Sequence, residues 1–195
     1  MKKIIAFTFD TSRVDAKTHA ALIGLMDALG YIVVKDETGV EGEVQNQEEQ
    51  PLSIPQLTPF AVPAGSTINS AKEGLPMDDY CRDNLTNENF PCEPPKGPIA
   101  GGFLPMDKNF ESEEGVSAVA KLAEQTGRKF RVGTTHECLL FKKRHPGICP
   151  KNFIALGTVW NGEVLRWYGD CTEFGLDDWG GKWYECHQVF LVEDL

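Results

Sequence analysis

Two imidazoles and two thiols fall within fourteen residues of this chain: His136, Cys138, His145 and Cys149. Imidazole and thiolate are the ligands zinc prefers in a tetrahedral set. In an extended strand residues 136 and 138 project from one face, so His136 and Cys138 predict chelation, with His145 and Cys149 completing a zinc site. No Cys-x-x-Cys pair reinforces this spacing, and Pro146 leaves the direction of the second pair open. The same residue types offer nucleophilic chemistry, because a thiolate needs an imidazole beside it in space. Cys138 neighbours His136, and Cys186 neighbours His187. Other polar clusters fit less. Lys96–Gly102 is glycine-rich but lacks the lysine-serine/threonine ending of a phosphate loop, so it predicts a turn beside a strand. Asp78, Asp79 and Asp83 lack the spacing of a calcium loop. Lys142, Lys143, Arg144 and His145 form the one tight basic run, which predicts a solvated loop or, more sharply, a phosphate contact.

A carboxylate also ends the first apolar run, Ile4 to Asp10. The carboxyl end of a buried strand is where α/β folds place ligands. Residues 3–35 read as a strand closed by Asp10, a helix, and a second strand led by Gly30. In this they resemble the start of the small nuclease-like subunit of CRISPR adaptation complexes. The resemblance implies a ferredoxin-like fold and makes Asp10 a metal-binding carboxylate.

The elements that must position these groups follow from periodicity. Lys3–Phe9 is a β-branched and aromatic run that predicts a buried strand. Ala16–Leu29 carries helical spacing and stops at Gly30, and Tyr31–Lys35 continues as a strand. Glu113–Gln125 repeats the helical pattern, with Ser112 as cap and Gly127 as stop, and Lys129–Gly133 follows as a strand. A strand within Gly97–Leu104 completes a duplicated, ferredoxin-like βαβ…αβ layout. Beyond Glu137 the residues predict strands alone: Cys138–Lys142, Phe153–Trp160, Glu163–Tyr168 and Tyr184–Val192. Asn161-Gly162 joins the middle pair as a hairpin, because both turn positions need positive φ. The dense aromatics of this region predict a compact β-rich core, or a stacking platform for a ring-shaped ligand.

Between these parts lies an acidic, proline-studded stretch. Residues 36–93 hold two basic side chains (Lys72, Arg82) and twelve acidic ones, a balance of −10, while the remaining 17 basic and 17 acidic residues cancel. Pro51, Pro55, Pro59 and Pro63 recur every fourth residue with Leu52, Ile54, Leu57, Phe60 and Val62 among them. Proline fixes φ and removes a donor, so this ribbon is excluded from helix and from sheet interiors. An apolar extended ribbon needs a surface to lie on, either its own body or another molecule. The organisation predicted is one α/β (α+β) domain, residues 1–36 and 97–195, with an acidic proline-rich insertion over 37–96 and a β-rich C-terminal part.

The surplus of negative charge disfavours direct binding to nucleic acid or to anionic membrane. The N-terminal apolar run ends at Asp10, too short for a signal peptide core, and no run approaches the about 20 apolar residues of a spanning helix. A cytoplasmic protein follows, with its six cysteines as thiols or metal ligands. The leading expectation is a non-catalytic accessory, assembly or inhibitor protein whose 37–96 arm engages another, basic protein through Pro51, Ile54, Pro55, Leu57, Pro59, Phe60, Val62, Asp78 and Asp79. The alternatives are a metal-dependent hydrolase or nuclease using Asp10 or the His136–Cys149 cluster, and a small-ligand binder with an aromatic C-terminal pocket.

Overall fold

The computed structural model describes residues 53–93, 95 and 97–195, all of them in the second of two units into which the chain divides, Glu49–Leu195. The elements predicted over Lys3–Lys35, together with Asp10 and Pro51, lie outside the described residues. In chain order the elements are β1 (Thr58–Phe60), α1 (Ile68–Lys72), α2 (Asp79–Asn84), β2 (Ile99–Pro105), β3 (Phe110–Glu111), α3 (Ser112–Thr126), β4 (Phe130–Val132), α4 (Thr135–Arg144), a 3-10 turn (Pro146–Ile148), β5 (Asn152–Trp160), β6 (Glu163–Tyr168), β7 (Glu173–Asp178), β8 (Lys182–Trp183) and β9 (His187–Asp194). The fold is mixed α+β around a mostly antiparallel sheet.

The sheet runs β1-β2-β9-β5-β6-β7, with β4 also pairing β9. Among the described strands only the β5–β9 pair is parallel, in register from Asn152 opposite His187 to Ile154 opposite Val189. β9 is the axis. Its run Val189-Phe190-Leu191-Val192 does not alternate apolar with polar, because the sheet is covered on both sides. Val189 and Leu191 enter one apolar cluster with Ile154, Val164, Trp183 and, from α3, Val119 and Leu122. Phe190 and Val192 enter the other with Phe153, Leu165, Trp167 and, from α4, Leu139 and Phe141.

Several local signals act as the residue types require. Asn161 and Gly162 both take positive φ, 51° and 78°, in the β5–β6 turn. Gly127 ends α3 in the left-handed region at φ 66°. Ser112, expected as the cap of this helix, instead lies one residue inside it; Glu111 is the N-cap, and the buried Ser112 hydroxyl accepts the indole N–H of Trp183 at 2.8 Å.

The largest departure lies in the segment after Thr134. Cys138–Lys142 is not a strand but the middle of α4. Seven consecutive residues of this helix, Thr135 to Phe141, are buried. A helix buried all round shows no polar face, and with it no helical period. Its start is written in a capping box: Thr134 Oγ1 accepts the Glu137 N–H, and the Glu137 carboxylate accepts the Thr134 N–H at 2.9 Å. The basic run Lys142-Lys143-Arg144 is accordingly the last turn of α4, where cations meet the negative end of the helix dipole. It is helix rather than loop, and two of its side chains brace the arm: Lys143 Nζ donates to the Ser70 carbonyl at 3.2 Å, and Arg144 donates to the Ala61 carbonyl.

The described part of the proline-rich segment, residues 53–93, folds onto this body. β1 is the edge strand expected of a proline-bearing run, with Pro59 opposite Ala100 on β2. Phe60, Ile68, Ala71, Met77, Cys81, Leu85 and Phe90 are all buried in the cluster that holds Phe141 and Phe190. Two glycines admit it. A Cβ on Gly101 would stand 2.7 Å from the Phe141 ring, and one on Gly102 2.8 Å from the Gln56 carbonyl oxygen, so β2 is shaved to backbone where the arm lies down.

Candidate functional site

The arm presents two faces. Inward, Phe60 meets Phe141 edge-on at 5.2 Å between ring centres, Val62 packs on the same cluster, and Leu57 packs on the other. Pro55 is half-buried and Pro59 and Ile54 are exposed. Outward, α2 carries the acids. Asp78 is its N-cap, accepting the Cys81 N–H at 2.6 Å. The Asp79 side chain is 94% exposed and, among the described residues, is paired with Arg82, one turn on. Asp83 and Tyr80 are also exposed.

This outer face continues onto the sheet edge. α2 is tied to β7 by backbone bonds, Asp78 N–H to the Phe174 carbonyl and Phe174 N–H to the Pro76 carbonyl, each 3.0 Å. The Tyr80 hydroxyl donates to the Glu163 carboxylate at 2.9 Å. Glu163 stands directly opposite Asp178 on β7 and opposite Trp160 on β5. Like charges directly opposed across a strand pair destabilise it. Two acids thus share this register position, Glu163 with the Tyr80 hydroxyl on its carboxylate and Asp178 accepting the Gly180 N–H at 2.9 Å.

The four predicted metal ligands do not form one set. Residues two apart in a helix point about 200° apart, so α4 sends His136 and Cys138 to opposite sides. His136 Nε2 lies 3.1 Å from the Ser66 Oγ, on the arm. Cys138 faces the core, where burial raises its thiol pKa far above the ordinary value. His145 is the C-cap of α4 with its ring against Phe141. Cys149 donates to the His145 carbonyl at 3.3 Å, and burial pushes its thiol up to about 11. Among the described residues no three histidine, cysteine, aspartate or glutamate side chains are placed to hold a metal ion. Cys81, the other fully buried thiol, is pushed up to about 12 by burial.

Two clefts open beside α4. One, of about 370 Å³, is lined by Pro63, Gly65, Ser66, Thr67, Asn87, Pro91, Cys92 and His136. The Ser66–His136 contact spans seventy residues of sequence, which is why spacing alone does not reveal it. Its one local trace is the turn at Pro63–Ser66, where Gly65 takes φ 72°. The other cleft holds a salt-bridge network. Arg131 grips Glu137 with two bonds of 2.9 and 2.7 Å and reaches Asp194 at 3.2 Å. Glu137 is 2% exposed, and the pair anchors the first turn of α4 to β4, fixing the direction in which His136 points.

The buried aromatics of the C-terminal part, Phe153, Trp167, Phe174, Trp183 and Phe190, are core side chains; Tyr184 is 63% exposed. Among the described residues no helix is long and apolar enough to cross a membrane. No family model matches the chain, no curated protein is significantly similar to it, and no solved structure matches it.

Proposed function

We propose that this is a cytoplasmic partner-binding protein, an accessory, assembly or inhibitor component, whose arm engages a basic protein through its outer face. In this reading residues 1–36 and 97–195 form one domain of ferredoxin-like order, and 37–96 is its arm. The supporting observation is the Glu163–Asp178 pair, held in direct opposition with the exposed Tyr80 on Glu163 and Asp79 and Asp83 on the adjacent helix. A lysine or arginine from a partner relieves such a pair, while its alkyl stem lies along the Tyr80 and Trp160 rings. The apolar ribbon residues Phe60, Val62 and Leu57 then serve as the mount rather than the contact, because they are spent on the protein's own core.

The test is a paired capture with full-length bait, wild type against Asp79→Lys/Asp83→Lys/Asp178→Lys, from lysate of the source cells. Deleting the arm is unsuitable, since it strips seven side chains from the core. The reading expects a protein with a basic surface that binds wild type, is lost from the triple variant, and weakens as salt rises, because exposed charges are screened beyond about 10 Å at 0.1 M. A partner held equally by both baits contradicts it, as does the absence of any protein that distinguishes them.

A further inference from the structure

We infer that the cleft between the arm and α4 is an ester-hydrolysing site, with Ser66 as nucleophile, His136 as its base and a short-chain carboxylic ester as substrate. This goes beyond the partner-binding reading, which concerns α2 and the β6–β7 hairpin.

The geometry is that of an activated hydroxyl. Ser66 Oγ and His136 Nε2 stand 3.1 Å apart, within the range that lets an imidazole take the proton of an attacking alcohol. Both groups are held. Ser66 follows the positive-φ Gly65 in a turn closed by its own N–H on the Pro63 carbonyl at 3.1 Å, which leaves the side chain half-buried at the cleft wall. His136 sits in the first turn of α4, which the Thr134 capping box and the Arg131–Glu137 pair fix in place. His136 as a residue is 4% exposed, and burial keeps its imidazole below the ordinary histidine value. With its proton on Nδ1, the imidazole leaves Nε2 to accept the Ser66 O–H.

The remaining cleft residues set the substrate class. Asn87 Oδ1 accepts the Asn69 N–H at 3.2 Å, which leaves the Asn87 amide N–H groups as the donors this wall offers a developing oxyanion. Pro63, Pro91 and Cys92 give apolar wall, and about 370 Å³ is at the small end of ligand clefts, room for an acyl chain of a few carbons. Cys92 is a poor rival nucleophile here, since burial raises its thiol pKa.

The step balances with water as the only co-reactant. Ser66 Oγ bonds to the ester carbonyl carbon while its proton moves to His136 Nε2. The bond from that carbon to the alkoxy oxygen breaks, and the alcohol leaves with the same proton. Water then attacks the acyl-Ser66, giving one proton to His136; the acid departs, and Ser66 regains its hydrogen from the imidazolium.

The experiment treats the intact 195-residue protein with an alkyl fluorophosphonate and locates the label by peptide mass spectrometry, alongside turnover of p-nitrophenyl butyrate. The expected result is a single phosphonate on Ser66, and turnover reduced at least about 100-fold in Ser66→Ala and in His136→Gln. Thermal unfolding of Ser66→Ala, whose site is a surface turn, separates loss of chemistry from loss of fold. Wild-type protein that carries no label on Ser66 overturns the inference, as does hydrolysis that survives Ser66→Ala.

Discussion

Replacing Phe60 by alanine tests whether the arm belongs to the folded body. Phe60 is 7% exposed and lies in the outermost strand, edge-on to Phe141 and 3.1 Å from where a Cβ on Gly101 would be. Truncating a buried phenylalanine costs about 3–5 kcal/mol, of which an aromatic pair of this geometry supplies about 1 kcal/mol. β1 is a short edge strand that can collapse inward after truncation, so the low end applies, about 3 kcal/mol. At a urea slope of about 2 kcal/mol/M the unfolding midpoint moves down by about 1.5 M. Tryptophan fluorescence reports it, because Trp167 is buried in the same cluster and Trp160 packs on it. Ile54→Ala, at 49% exposure on the same arm, serves as the control and moves stability by no more than about 0.5 kcal/mol. A Phe60→Ala midpoint within the range of that control refutes the docking of the arm, because no relaxation of the core hides the loss of a whole ring.

Two further perturbations probe the body. Gly133→Ala places a Cβ 2.2 Å from the Phe190 ring and 3.2 Å from Val192, an overpacking that costs about 1–3 kcal/mol and lowers the urea midpoint accordingly; an unchanged midpoint contradicts the close passage of this backbone over β9. His136 and His187 are both held below the ordinary histidine value, chiefly by burial. Below about pH 6.5 the unfolded chain takes up protons that the folded one refuses, so the contribution of these two histidines is constant above that pH and stability falls on acidification toward the folded values. Equal urea midpoints at pH 7.5 and 5.5 contradict this.

How much of the molecule can be read from its sequence depends on whether a signal is local. The hairpin at Asn161-Gly162 and the stop of α3 at Gly127 need only the conformational freedom of one or two residues, and they stand where their types place them. β2, Ile99–Pro105, falls where a strand within Gly97–Leu104 is expected to complete the α/β layout. α4 was not, because its burial erases the polar face on which periodicity depends; the Thr134–Glu137 capping box was the available sign. The proline rule correctly keeps the ribbon out of helices and sheet interiors, with Pro59 in an edge strand. It is silent on whether the ribbon rests on its own body, which the glycines at 101 and 102 make possible. The predicted zinc ligands fail to converge because their grouping assumed strand geometry. The Ser66–His136 contact depends on arm and helix meeting across seventy residues, and no spacing rule reaches that far.

Amide hydrogen exchange over residues 68–90 tests most directly whether the acidic, proline-rich segment is a structural layer of the protein. The N–H groups of Asp78, Leu85 and Phe90 donate to the carbonyls of Phe174, Cys81 and Thr86 at 2.9–3.0 Å. Peptides covering them are expected to exchange as slowly as those from the β9 axis, His187–Asp194, since both belong to one cooperative core. Exchange of 68–90 at the rate of an open chain, with β9 still protected, contradicts the account.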